Sequence, residues 1–261
     1  MSKPMETPGA QNMRRSLQVL RALGAHHEEG LAVSEVVAIT GLERSTAHRL
    51  LTCLVEEQFA ERDGTTRRYR LGLEAMRLGF ASLKRAPLVA TYQPVLQRLA
   101  RLSEDTVFLL ARQGDYTVCL AREDGAFPVK IFSTRVGDIR PLGIGVGGLA
   151  ILAAAADEDI ARVRSQHAPA FDAAGLTPVQ MDKVIARTRR TGFSELVDTV
   201  TQGVGGVGAV IPDPAAPFAA ISIAAIKPRM SAARRAELGQ LLLKTFGEQR
   251  SVGAAHLDST R

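Results

Sequence analysis

TGLERSTAHRLLTCLV, residues 40–55, decides the fold. From Ala47, the apolar residues Leu50, Leu51, Leu54 and Val55 follow at three, four, seven and eight positions, which is one face of a helix beginning near Glu43. On a wheel of about 100° per residue, Ser45, Arg49 and Thr52 point away from that face, with His48 toward one edge. Upstream, Thr40 and Gly41 end a short helix carrying Val33, Val36 and Val37, since glycine accepts the left-handed conformation that closes a helix. Before that, the stretch from His26 to Gly30 breaks a first helix, Arg14 to Ala25, whose stripe is Leu17, Leu20 and Leu23. Two helices joined by a turn at Gly41 have the spacing of a helix-turn-helix.

Downstream, FAERDGTTRRYRL at 59–71 puts a polar, glycine-containing turn between two short segments, the pattern of a β-hairpin and hence of a wing. Its second half brings Arg67, Arg68 and Arg70. Arginine can bridge guanine O6 and N7, and a hydroxyl near a helix N-terminus can hold a phosphate or a base edge. The candidate DNA-binding residues are therefore Arg44, Ser45, Thr46, His48, Arg49 and Thr52 on the helix, with Arg67, Arg68 and Arg70 on the hairpin. For an isolated helix the same face would read as merely solvated; the tight turn before it and the basic hairpin after it favour DNA. Glu56 lies on that face too, and phosphate would repel it, so that end of the helix is expected to leave the groove.

The chain has 261 residues, 46% of them hydrophobic and 23% charged, with a formal net charge of +6. These values suit one large or two ordinary globular domains and exclude a largely disordered chain. Up to Arg85 there are 13 Lys+Arg against 10 Asp+Glu, and beyond it 20 against 17, so the shorter part is about twice as basic per residue. The longest apolar run, Gly143 to Ala156, is too short for a bilayer crossing, which needs about 18 residues. Residues Met1 to Gln11 lack the apolar core of a secretory signal, so the expected location is the cytoplasm. Cys53 and Cys119 read as reduced, buried thiols, and the five histidines never fall at ligand spacing, so no metal and no cofactor is expected.

Beyond Pro87 the pattern changes. Val89 to Leu102 is an amphipathic helix, Thr106 to Arg112 and Tyr116 to Arg122 form a hairpin, and Val129 to Phe132 reads as a further strand. Leu149 to Ala156 suggests a helix. Thr177, Pro178 and Gln180 make a capping box for another that should end at Gly192. Val207 to Ile211 and Phe218 to Ile226 are strands around a proline-rich turn, and Ser231 caps a last helix with Leu238, Leu241, Leu242 and Thr245 inward. Strands and helices without regular βαβ alternation indicate an α+β class. The segment from Leu71 to Leu83 carries two apolar stripes, Leu71, Ala75 and Leu78 beside Met76, Phe80 and Leu83, one of which a partner chain could cover.

Two glycine clusters admit several readings: Gly143, Gly145, Gly147 and Gly148, then Gly203, Gly205, Gly206 and Gly208. Each formally matches a dinucleotide fingerprint, but the second leads into a strand and the first lacks an acidic residue about twenty positions on. Glycines on a sheet also allow close backbone approach or leave room for a pocket. An enzyme or dinucleotide-binding protein is the rival class, although no nucleophile elbow, zinc spacing or Cys-His pair is present. Asp157, Glu158 and Asp159 read as a solvated helix boundary.

Ser16-Leu17, Thr40 to Leu42, Ser45 to Leu51 and Tyr69 to Gly72 resemble the winged-helix domain of the IclR family of bacterial transcription regulators. The similarity continues through Arg140 to Leu142, Gly148 to Ala150, Gly192-Phe193, Gly203-Val204 and Phe218 to Ile223. The resemblance implies a winged helix-turn-helix over 12–72, a linker helix over 73–86, and a GAF-like effector-binding and oligomerisation domain over 87–252. It implies a double-stranded DNA operator, a small-molecule effector and a homodimer or homotetramer as partners, with no membrane. Carried over position by position, the effector site would comprise Ile131, Leu142, Gly143, Gly145, Val146, Gly147, Asp198, Val204, Gly206, Ser222 and Ala224. Where many relatives have histidine and a hydroxyl residue in the loop, this chain has Gly143 and Gly145. Leu149 replaces a lysine, Gly206 a cysteine and Ala224 a serine. With few polar anchors left, the expected effector is more apolar, and bulkier, than a small oxo-acid.

Overall fold

The computed structural model describes residues 9–83, 87–213 and 218–258, which divide into a unit ending at Pro87 and another starting at Leu88. The first holds α1 (Gln11–Ala25), α2 (Val33–Thr40), α3 (Arg44–Glu56), β1 (Ala60–Arg62), β2 (Tyr69–Leu71) and α4 (Leu73–Leu83). Its helices close over Val19, Leu23, Val36, Ala47 and Leu51, with Tyr69 from the hairpin, all buried. Gly41 sits at φ +67° and donates its N–H to the Val37 carbonyl, so the chain leaves α2 in the direction α3 needs. β1 and β2 pair antiparallel, Arg62 opposite Tyr69, and a bridge from Leu31 to Tyr69 adds a third pairing.

The second unit runs α5 (Pro87–Ser103), β3 (Thr106–Gln113), β4 (Tyr116–Glu123), β5 (Ile139–Pro141), α6 (Val146–Ala153), α7 (Asp157–Gln166), α8 (Ala168–Ala173), α9 (Pro178–Thr191), β6 (Ser194–Val197), β7 (Val204–Val210), β8 (Ala219–Ile226) and α10 (Ala232–Asp258). Its six strands form one sheet in the order β5-β4-β3-β8-β7-β6, every pair antiparallel. Alternation along β8 sorts the two faces. Ile221 and Ile223 join Leu96, Leu99, Leu238 and Leu242 of α5 and α10, whereas Ala220 joins the cluster built on α6 and α9. The class is α+β with an N-terminal helix-turn-helix, as the sequence indicates.

Several expectations need correction. Val129 to Phe132 is no strand: Ile131 is buried and donates its N–H to Thr106 Oγ1, a side-chain acceptor rather than a ladder carbonyl, while Val129 and Phe132 are exposed. The strand beside β4 is β5 instead. α6 begins at Val146, ahead of the expected Leu149, and the three carboxylates from Asp157 open α7, where they suit the positive end of a helix. Cys53 is exposed; only Cys119 is buried, and burial pushes its thiol up to about 11. Of the expected linker, 84–86 and the side chains of Phe80 and Leu83 lie outside the described residues, as does part of the proline-rich turn, 214–217. No described helix is long and apolar enough to cross a membrane.

Candidate nucleic-acid interface and ligand cavity

α3 buries Ala47 and Leu51 and turns Arg44, Ser45, His48, Arg49 and Thr52 to solvent, with Thr46 half-buried at its edge. The Thr52 hydroxyl donates back to the His48 carbonyl at 3.0 Å, leaving its oxygen as an acceptor. Among the described residues, the guanidinium groups of Arg44, Arg49 and Arg67 form no ion pair. That face therefore offers two cations, a histidine and hydroxyls with no protein partner charge to strip away first.

The hairpin tip is built by Asp63, whose Oδ1 accepts the Thr65 and Thr66 N–H groups at 2.9 and 2.6 Å. Those amide bonds hold its carboxyl below the usual carboxylate range. Arg67, at φ +59°, completes the turn and is exposed. Arg70 is half-buried, its Nη1 4.0 Å from Asp63. Arg68 departs from the expectation that it is free for a phosphate. Its Nε donates to the Glu29 carbonyl at 2.9 Å, and its Nη2 donates to the Gly30 carbonyl at 3.0 Å and to Glu35 Oε2 at 2.8 Å.

In the second unit, a cavity of about 670 Å³, its mouth included, opens between the sheet and the start of α6. Of the expected effector residues, Ile131, Gly145, Val146 and Gly147 line it, as do Val204, Gly206, Ser222 and Ala224. Leu142, Gly143 and Asp198 do not. Leu142 is fully buried beside Leu149, Leu152 and Phe171. Gly143 is a packing turn at φ +92°, where a Cβ would stand 2.8 Å from Leu152 Cδ2. Asp198 closes the β6–β7 loop, accepting the Lys227 ammonium at 2.5 Å and the Gly203 N–H at 2.7 Å, which together hold its carboxyl low.

The sequence reading missed Phe108, Leu110, Thr117 and Arg140, which also line the cavity. Arg140 sits on β5, opposite Thr117 in register, and its Nη1 donates to Thr134 Oγ1 at 3.0 Å with Asp138 3.6 Å away. The polar lining is thus richer than expected. The first turn of α6, Val146 to Gly148, faces the same space, and the first N–H groups of a helix have no acceptor within it. A glycine makes this approach possible: a Cβ on Gly208 would stand 2.8 Å from the Val146 carbonyl carbon. The dinucleotide alternative fails on topology, because it needs a parallel βαβ unit and this sheet is antiparallel.

Two family models match the chain: "IclR helix-turn-helix domain" over residues 13–64, and "Bacterial transcriptional regulator IclR C-terminal" over residues 80–250. The chain is 28% identical over 247 residues to the transcriptional repressor IclR of Escherichia coli, covering 93% of this chain and 89% of that one. An IclR-family transcriptional regulator from Brucella abortus superposes with a TM-score of 0.76 at 20% identity, covering 96% of each chain. An IclR homolog from Microbacterium hydrocarbonoxydans, solved with 4-hydroxybenzoate, superposes at 0.73 and 20% identity over 90% of this chain and 97% of that one. At these identities the structural likeness shows the shared fold.

Proposed function

Given that the chain belongs to the IclR family of bacterial transcription regulators, and so is a DNA-binding regulator with an effector-binding C-terminal domain rather than an enzyme, we propose that it binds a duplex operator as a homodimer or tetramer in the cytoplasm and that a small aromatic or otherwise rather apolar acid modulates that binding. On this reading the two α3 helices enter successive major grooves while the hairpins track the flanking backbone. Arg49, Ser45 and Thr46 read or orient, with Arg44, His48 and Thr52 beside them; Arg67 and Arg70 supply charge. The observation that carries it is the exposed α3 face, whose arginines form no ion pair among the described residues. A gel-shift titration against genomic fragments tests it, with a specific footprint expected.

The effector reading rests on a different observation. Phe108, Leu110, Ile131 and Val204 give the cavity apolar walls, while Arg140 and the first turn of α6 provide the cationic and N–H groups a carboxylate requires. The 4-hydroxybenzoate held by the Microbacterium hydrocarbonoxydans homolog has this chemistry. Calorimetry against aromatic and short aliphatic acids is the test, and tight binding of glyoxylate or pyruvate would count against it. For the oligomer, Leu73 and Met76 stand 64% and 53% exposed on α4, an apolar stripe that a second copy of this helix would cover.

A further inference from the structure

We propose that Arg68 is not one of the wing's phosphate contacts but its clamp, a positioning residue that fixes the hairpin against α2 so that Arg67 reaches the DNA. The inference rests on the DNA-binding reading above and adds a division of labour among the three arginines. Nε and Nη2 of Arg68 are both engaged inside the protein. One edge of its guanidinium grips the carbonyls of Glu29 and Gly30, at 2.9 Å from Nε and 3.0 Å from Nη2, and Nη2 also reaches both oxygens of Glu35, at 3.0 and 2.8 Å. Glu35 is in turn fixed, since its Oε2 accepts the Ala32 N–H at 2.7 Å across the start of α2. To meet a phosphate through Nε or Nη2, Arg68 would have to release these acceptors and leave Glu35 without its ion-pair partner.

The backbone around the clamp is shaped for it. Gly30 adopts φ +67°, a conformation that favours glycine, and a Cβ there would crowd the hairpin, standing 3.0 Å from both the Tyr69 carbonyl oxygen and Arg70 Cγ and 3.3 Å from Arg68 Cβ. Next to it, Leu31 and Tyr69 exchange backbone hydrogen bonds of 2.9 and 2.8 Å, tying β2 to the same turn. Arg67 is the residue immediately before the clamp, exposed and in a left-handed conformation set by the Asp63 turn. The fork of Arg68 engages carbonyls and carboxylate together, which a lysine ammonium on a flexible stem does not reproduce.

Two measurements test this. In the free protein, amide hydrogen exchange at Leu31 and Tyr69 should accelerate roughly tenfold in Arg68→Ala, with the amides of α1 unchanged; unaltered exchange at those two positions overturns the clamp whether or not DNA binds. With operator DNA, Arg68→Lys keeps the charge and should still lose affinity roughly tenfold, comparable to Arg68→Ala. Glu35→Gln, which retains a capping acceptor while removing the ion pair, should also weaken binding. Phosphate-ethylation footprints should lose the flanking contacts made by the wing while keeping those of α3, a selective change that global unfolding cannot produce. If Glu35→Gln binds as tightly as wild type or tighter, or Arg68→Lys restores wild-type affinity, Arg68 is a direct phosphate contact. Failure of the unaltered protein to bind any duplex would instead sink the DNA reading, and hydrogen exchange would still decide the clamp.

Discussion

Arg49 and Arg67 are both exposed and form no ion pair among the described residues, yet they stand on different elements, a helix and a hairpin turn. Arg49 projects from the middle of α3, where a guanidinium can reach base edges, so Arg49→Ala should weaken operator binding by about 1–3 kcal/mol and relax sequence preference. Arg67→Ala should weaken operator and random DNA alike and lower the salt slope by about one. Fluorescence anisotropy at several salt concentrations on both DNAs separates the two patterns. The α3 assignment was legible in the sequence because a 3.6-residue period fixes which side chains face inward. The role of Arg68 was not, since its partner Glu35 lies 33 residues earlier and no local pattern announces an ion pair at that separation. A different limit hid Arg140, carried on a three-residue strand too short to show alternation.

At the scale of elements, the packing of α6 on β7 controls the cavity. Gly208 places β7 against the Val146 backbone, so Gly208→Ala has to push backbone apart and should destabilise the protein by about 1–3 kcal/mol, read as a lowered melting temperature. The α2 and wing elements carry a pH dependence. Glu35 is held below the ordinary carboxylate range by the Ala32 N–H and then by Arg68, and Asp63 by the Thr66 N–H. Groups with depressed folded pKa values contribute stability that is complete above the unfolded pKa and is lost as pH falls through the folded one. Urea unfolding of the N-terminal helices should therefore show a lower midpoint below about pH 4, with a shallower fall in Glu35→Gln. Long, strongly periodic helices and the capping box at Thr177 were readable in advance. Short β6, and α8 with Pro169 in its first turn, were not, because each is stabilised by neighbours rather than by its own sequence.

For the whole molecule, the sequence changes from a basic helical stretch to mixed strands and helices near Pro87, and the structure divides into two units between Pro87 and Leu88. An effector can alter operator affinity only by binding unequally to two states of the protein. Replacing Leu73 and Met76 on α4 with serine should shift the sedimentation profile toward the monomer and lower operator affinity in parallel, since a single reading head forfeits half of its contacts. The cavity's apolar wall was foreseeable from the resemblance. Its cationic side was not, because the segment before β5 lacks regular structure and is tied to the sheet through Ile131, whose N–H donates to Thr106 Oγ1 on a strand 25 residues earlier.

The most direct test is quantitative anisotropy of the intact protein on a footprinted genomic duplex and on a scrambled duplex of equal length, repeated with Arg49→Ala. The account predicts tight, salt-sensitive binding that favours the footprinted sequence, and a preference that largely disappears in the variant. Absence of binding to either duplex at low salt, or equal losses on both in Arg49→Ala, would contradict the assignment of α3 as the reading element.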